Sequence, residues 1–208
     1  MFPEHAINLV NALKGTNSLL ITGAGEFANL IREYDNEIGF SNDITHEVAI
    51  ESMSIISKLL NDKLDFTEII DNFNDINTVL NDGKIPILIT SKILKEKNVL
   101  EHSWRVSSDS ISAYISHILK TKLLITTNVN GIYTRNPTLK NSKLIKEIDA
   151  KKLLSFEQSS IDLMLPELLI EFGLDCFVVN GNFPERVLSI VKSDKCNQNF
   201  NYTYIRGE

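Results

Sequence analysis

The chain has 208 residues, room for one domain or two small ones at roughly 100–200 residues each. Its 43% hydrophobic and 23% charged residues describe a packed globular protein and exclude disordered, collagen-like and mucin-like classes. A formal net charge of −6 provides no global basic field for a polyanion, so nucleic acid is not an expected partner, whereas a small phosphate held by local donors is compatible with it.

Short apolar runs alternate with longer segments of helical period, a pattern that predicts an α/β fold with a parallel sheet. In chain order the expected elements are a helix over Pro3–Lys14, a strand over Ser18–Thr22, and helices over Glu26–Asn36, Asp43–Leu60 and Thr67–Asn81. A strand over Ile85–Thr90, a helix over Ser108–Lys120, a strand over Lys122–Thr126 and a helix over Asp162–Phe172 follow. The series closes with a strand over Asp175–Val179 and a helix over Pro184–Val191. Asn136–Ser142 and Ser193–Asn201 read as exposed loops, and with no linker-like stretch a single domain over residues 1–208 is expected.

Cys176 and Cys196 fit neither a disulfide framework nor a metal motif, which points to a reducing, cytoplasmic setting. No apolar run of about 18 residues and no signal-like N-terminus is present, so neither membrane insertion nor export is expected. His5, His46, His102 and His117 are scattered, and no resident metal site is expected. The P-loop, G-x-S-x-G and zinc-deaminase signatures are all absent.

Four segments carry the chemistry. Gly23-Ala24-Gly25 stands between a strand and a helix whose free N–H groups face the turn, an arrangement suited to an anion. It also matches G-x-G-x-x-A, but a second helix over Asp43–Leu60, with Ile44, Val48, Ile55 and Leu59 on one apolar face, stands where a dinucleotide fold needs a strand with an acid. A turn required by backbone geometry alone is the plain alternative. In the second segment Asp109 lies in the first turn of a helix, where capping explains a carboxylate as well as catalysis does. Trp104 beside Arg105 either walls a pocket or packs as a staple. The third, Thr127–Pro137, is a strand followed by a polar loop with Asn-Gly and Asn-Pro turns, and reads as a ligand clasp or as a plain turn around Tyr133. The fourth, Val178–Val187, is a strand-to-helix corner with Pro184 in the first turn.

Taken in order, TGAGEFANLIR, SWRVSSDSISAY, LLITTNVNGIYTRNP and FVVNGNFPERV resemble the amino acid kinase family over nearly the whole chain. The resemblance implies a three-layer αβα sandwich around a mostly parallel sheet, a dimer or larger homo-oligomer, and a kinase using ATP with Mg2+ and a small phosphorylated acceptor. The acceptor it implies is [5-(aminomethyl)furan-3-yl]methyl phosphate, of methanofuran biosynthesis in archaea. Uridylate, isopentenyl phosphate or an amino acid, and a non-catalytic nucleotide-binding paralogue, are the alternatives. It further implies that Gly23, Gly25 and Asp109 are catalytic, that Ala24, Arg32, His46, Arg105 and Ser108 face the acceptor, and that Thr127, Asn128, Val129, Gly131, Tyr133 and Pro137 hold the nucleotide.

The departures from the family pattern are specific. The family's opening K-x-G-G-S strand is missing, so the expectation is a true start upstream of Met1. No Lys or Arg occurs from Leu153 to Glu185, where the family places a second lysine, and Asn130 and Asn136 stand where its nucleotide loop has aspartates. Lys92 and Arg105 are the cations expected to compensate.

Overall fold

The computed structural model describes residues 3–97, 99–156, 160–193 and 199–208. Cys196 and most of the expected Ser193–Asn201 loop lie outside the described residues. The elements are α1 (Pro3–Ala12), α2 (Glu26–Ile38), α3 (Asn42–Asp62), β1 (Thr67–Ile70), α4 (Ile76–Asn81), β2 (Ile85–Leu88), α5 (Thr90–Lys97) and α6 (Ser108–Leu119). There follow β3 (Leu123–Thr127), β4 (Glu147–Asp149), α7 (Ala150–Leu153), α8 (Leu165–Phe172), β5 (Cys176–Asn180), α9 (Pro184–Lys192) and β6 (Tyr202–Arg206). They fall into two compact units, Leu13–Trp104 and Arg105–Glu208 with α1.

In the Leu13–Trp104 unit β1 and β2 pair in parallel, from Thr67 opposite Ile85 to Ile70 opposite Leu88. The helix expected over Thr67–Asn81 is instead a strand, a turn and the short α4. Thr67, Ile69 and Ile70 are β-branched and suit a ladder, and Asn72 Oδ1 accepts from the Asn74 and Asp75 amides to make the turn between them. The strand expected over Ser18–Thr22 contributes one bridge, Leu20 to Ile87, and the expected Ile85–Thr90 strand ends at Leu88 because α5 starts at Thr90. Helix α3 is capped by Ser41, whose side chain accepts from the Ile44 amide. Its buried side is His46, Ile50, Met53, Ser54, Ser57 and Leu60, so the Ile44, Val48, Ile55, Leu59 stripe faces outward.

The second unit is built on a four-stranded sheet of order β3-β5-β6-β4. β3–β5 and β4–β6 are parallel and β5–β6 antiparallel, which with β1–β2 makes three of the four described pairings parallel. β5 is buried along its whole length, four apolar residues followed by a hydrogen-bonded Asn180. Ile111, Ile115, Leu165, Leu169, Val178, Val179 and Ile205 are almost fully enclosed in the core. Because β3 and β5 run in parallel, Thr127 lies opposite Asn180 and the loops after the two strands meet at one sheet edge. Helix α8 begins at Leu165, three residues later than the expected Asp162, whose carboxylate lies ahead of the helix and accepts from the Leu165 amide.

Candidate active site

Within the Leu13–Trp104 unit the glycine turn is held from behind by Thr22, whose hydroxyl lies 2.9 Å from the Met53 carbonyl and 2.8 Å from Ser57 Oγ. Gly25 has φ 57° and ψ −136°, a conformation reserved for glycine, yet a Cβ there would meet nothing within 4 Å. Gly25 is also the N-cap of α2, and no side chain caps that helix, so its first amides are left to solvent or an anion. Gly23 is exposed and Ala24 buried beside it. Arg32, exposed two turns along α2, has its guanidinium 4.6 Å from the Trp104 ring, and Trp104 Nε1 donates to Asp35 Oδ2 at 2.7 Å. Trp104 is thus a platform for Arg32. His46 is buried on α3 and stacks on His102 with centroids 4.4 Å apart, and His102 Nδ1 lies 2.5 Å from Asp43 Oδ1. Burial, then the charge of His102, lowers the His46 pKa, with Asp43 partly opposing.

In the second unit Asp109 occupies the first turn of α6 and is half-buried. Its Oδ2 accepts from the Asp162 amide at 3.2 Å. The Asp162 carboxylate accepts from the Ser107 amide and hydroxyl, the Ser110 amide and hydroxyl, and the Leu165 amide, five donors at 2.6–3.0 Å. Desolvation, then the charge of Asp162, pushes the Asp109 carboxyl up to about 7. Among the described residues no lysine or arginine bonds to Asp109, and Ser107, not Asp109, is the α6 cap. Ser108 is half-buried and its carbonyl accepts from Ser112 Oγ. Arg105 pairs with Glu167 at the rim of a cavity of about 440 Å3 that Leu153, Phe156, Asp162 and Pro166 also line. Neither expected compensating cation is uncommitted, since Lys92 pairs with Asp71.

The loop after β3 is tied to β5 and β6. Gly131 has φ 136°, and a Cβ there would fall 2.5 Å from Thr203 Oγ1 on β6, so only glycine fits. The next amide, of Ile132, donates to that same hydroxyl at 2.8 Å, and Tyr133 bridges to Leu144. From β5, the Gly181 amide donates to the Thr127 carbonyl, while Asn180 Nδ2 donates to the Asn128 carbonyl at 3.2 Å and to Asn130 Oδ1 at 3.4 Å. Arg186 Nη1 also donates to Asn130 Oδ1, at 2.7 Å. Val129 follows Asn128 in this clasp, and Pro137 lies in the exposed far part of the loop. The structure therefore groups Thr127, Asn128 and Gly131 at one sheet edge, and places Gly23, Ala24, Gly25, Arg32 and His46 on the other unit. The expected set omits Asp162, Asn180, Arg186 and Thr203; Asn180 and Arg186 lay in the VVNG–PERV corner, and nothing local marks Thr203 or Asp162. Among the described residues no cluster of three His, Cys, Asp or Glu side chains could hold a metal, and no helix is long and apolar enough to cross a membrane.

Comparison with known proteins gives a consistent set of likenesses. Residues 4–180 match the family model of the amino acid kinase family. The chain is 36% identical over 187 residues to the [5-(aminomethyl)furan-3-yl]methyl phosphate kinase of Methanocaldococcus jannaschii, covering 88% of this chain and 84% of that protein. The crystal structure of UMP kinase from Ureaplasma parvum superposes with a TM-score of 0.71 at 14% identity, over 98% of this chain and 88% of that one. The T. acidophilum isopentenyl phosphate kinase product complex gives 0.61 at 18% identity, over 98% and 91%. At such identities these two structures speak for the fold alone.

Proposed function

The chain belongs to the amino acid kinase family and is a phosphotransferase, and from that premise we propose that it moves the γ-phosphoryl group of Mg-ATP to a small phosphorylated acceptor. The acceptor in this reading is [5-(aminomethyl)furan-3-yl]methyl phosphate and the product its diphosphate, made in the cytoplasm of a methanofuran-producing cell. The observation that carries it is the 36% identity spread over most of both chains.

The chemistry fits the residues. A phosphate monoester is largely dianionic at neutral pH, so its oxygen needs no general base to attack the γ-phosphorus as the bond to ADP breaks. Positioning and charge neutralisation are what the protein must supply. In this reading the uncapped start of α2 behind Gly23, Ala24 and Gly25 receives phosphoryl oxygens, Arg32 on its Trp104 platform holds the acceptor phosphate, and His46 lines the acceptor side. Ser108 and Arg105 stand at the entry to α6, and Asp109 is the central polar group, ionising when a cation is brought beside it. Thr127, Asn128, Val129, Gly131, Tyr133 and Pro137 hold the base and ribose, and magnesium arrives with the nucleotide.

Two observations favour a second reading, a binding protein without turnover: the stretch from Leu153 to Glu185 carries no Lys or Arg, and Asp109 has no cationic partner among the described residues. Phosphorus NMR of the chain with Mg-ATP and each of the aminomethylfuran methyl phosphate, UMP and isopentenyl phosphate decides between them. A new diphosphate signal with the furan alone is the expected result; turnover of another acceptor relocates the substrate, and ATP binding with no turnover selects the binding protein.

We propose that the protein works as a homodimer built on α2 and α3. No residue of α2 is buried, and Phe27, Leu30, Tyr34 and Ile38 on it, with Ile44, Val48, Ile55 and Leu59 on the adjoining α3, are each 39–66% exposed. Exposed apolar side chains grouped in this way on two adjoining helices mark an interaction surface. A second copy is the occupant this surface suits, because an apolar stripe on a helix pair is self-complementary about a two-fold axis.

A further inference from the structure

The loop after β3 and the corner after β5 together position a cation, Arg186. Arg186, in the first turn of α9, lies with its guanidinium carbon 3.7 Å from the centre of the Phe183 ring, and its Nη1 donates to Asn130 Oδ1 at 2.7 Å. That is one of five N–H donors on a planar group. No carboxylate among the described residues pairs with it, although Glu185 precedes it in the chain. Arg105 and Lys92, by contrast, are tied to Glu167 and Asp71. The Phe183 ring covers one face of the guanidinium and leaves its edge, the hydrogen-bonding part, available.

Asn130 is the reason Arg186 sits there. A neutral amide oxygen holds the guanidinium by one hydrogen bond without neutralising it, whereas an aspartate at that position would form an ion pair and cancel the charge. Asn180, buried at the end of β5, supports the same oxygen and also fastens Asn128, so the position of Arg186 is locked to the loop expected to hold the nucleotide. An uncancelled arginine fixed to that loop is matched to an anion.

Resting on the nucleotide reading above, we propose that Arg186 is a phosphate-binding residue of this protein, contacting the polyphosphate of ATP from the β3–β5 edge in a chain with no Lys or Arg from Leu153 to Glu185. It adds a residue to the site and specifies what that residue binds, the phosphates and not the base.

Calorimetric titration of the full chain with Mg-ATP and with adenosine, before and after Arg186→Gln and Arg186→Lys, tests this. Gln keeps a donor for Asn130 and loses the charge. The expected result is Mg-ATP binding weakened about 10- to 100-fold in Arg186→Gln, with adenosine binding unchanged and part of the loss restored in Arg186→Lys. Unchanged ATP affinity, or equal weakening of ATP and adenosine, overturns the assignment of Arg186 and leaves the kinase reading standing. If Arg186→Gln does not fold, the ratio of ATP to adenosine affinity in Arg186→Lys decides: a fall supports the assignment, an unchanged ratio overturns it. Failure of the unaltered chain to bind either ligand overturns the nucleotide reading and this assignment together.

Discussion

Asp162 donates its backbone N–H to Asp109 Oδ2 at 3.2 Å while its own carboxylate gathers five donors from the starts of α6 and α8. The two carboxyl groups thereby take different roles. Asp162 is satisfied and ties two helices together; Asp109 receives one amide, lies beside a like charge, and has a pKa raised to about 7.

Asp109 makes stability fall with rising pH. A carboxyl whose pKa is raised from 3.8 to about 7 on folding leaves the folded state undisturbed below pH 3.8, costs increasing stability as the pH climbs from there to about 7, and adds no further cost above it. Asp109→Asn removes that cost and can still accept from the Asp162 amide. The variant should therefore gain about 2–4 kcal/mol on the parent between pH 4 and pH 8, read by urea denaturation at the two pH values. Phosphoryl transfer should fall about 100-fold or more in the same variant. A stability difference that is flat across pH would remove the premise of a protonated Asp109.

His46 acts in the opposite direction. Its pKa is lowered below 6.5 by burial and by His102, so the neutral ring is favoured in the fold, and stability present above pH 6.5 is lost as the pH falls below it. His46→Gln should flatten the decline in melting temperature between pH 6.5 and 5 relative to the parent, as measured by circular dichroism.

Gly131 and Gly25 differ in what a methyl group would meet. At Gly131 the positive φ and the 2.5 Å approach to Thr203 Oγ1 act together, and Gly131→Ala should displace the loop, lower stability by about 2–4 kcal/mol and weaken ATP binding. At Gly25 only the backbone is strained, since nothing lies within 4 Å of the added carbon, so Gly25→Ala should cost about 1–3 kcal/mol. Calorimetry of both variants with Mg-ATP should find the nucleotide lost chiefly from Gly131→Ala.

The outward stripe on α3 sets the oligomer. Replacing Ile55 and Leu59, 44% and 59% exposed, by glutamate should convert a two-chain species into a single chain in sedimentation velocity without lowering helicity. An unaltered sedimentation coefficient, or a parent that already sediments as one chain, would rule out this interface.

Much of the fold could be read along the chain. Ile85–Leu88 and the apolar run 176–179 read as buried strands, and Ser41, Ser107 and Pro184 mark helix starts. The Thr67–Asn81 segment misleads because its apolar spacing suits a helix while its β-branched start is claimed by pairing with β2, a contact with residues at Ile85 and beyond. β6 has a similar cause, since Tyr202–Arg206 becomes a strand by lying between β5 and β4.

By itself the sequence determined which residue types sit at each turn: the glycines of Gly23–Gly25, the acid at Asp109, the Asn-rich loop after β3 and the missing lysines. Local spacing is enough for these, because turns and helix starts are set by residues within a few positions of each other. Only the tertiary structure decided that burial, together with the charge of Asp162 53 positions away, would raise the pKa of Asp109, that Thr203 would require Gly131 to be glycine, and that Arg186, unlike Arg105 and Lys92, would pair with no carboxylate among the described residues. Each of those depends on partners distant in the chain, and the charge and burial that make a group reactive come from such neighbours.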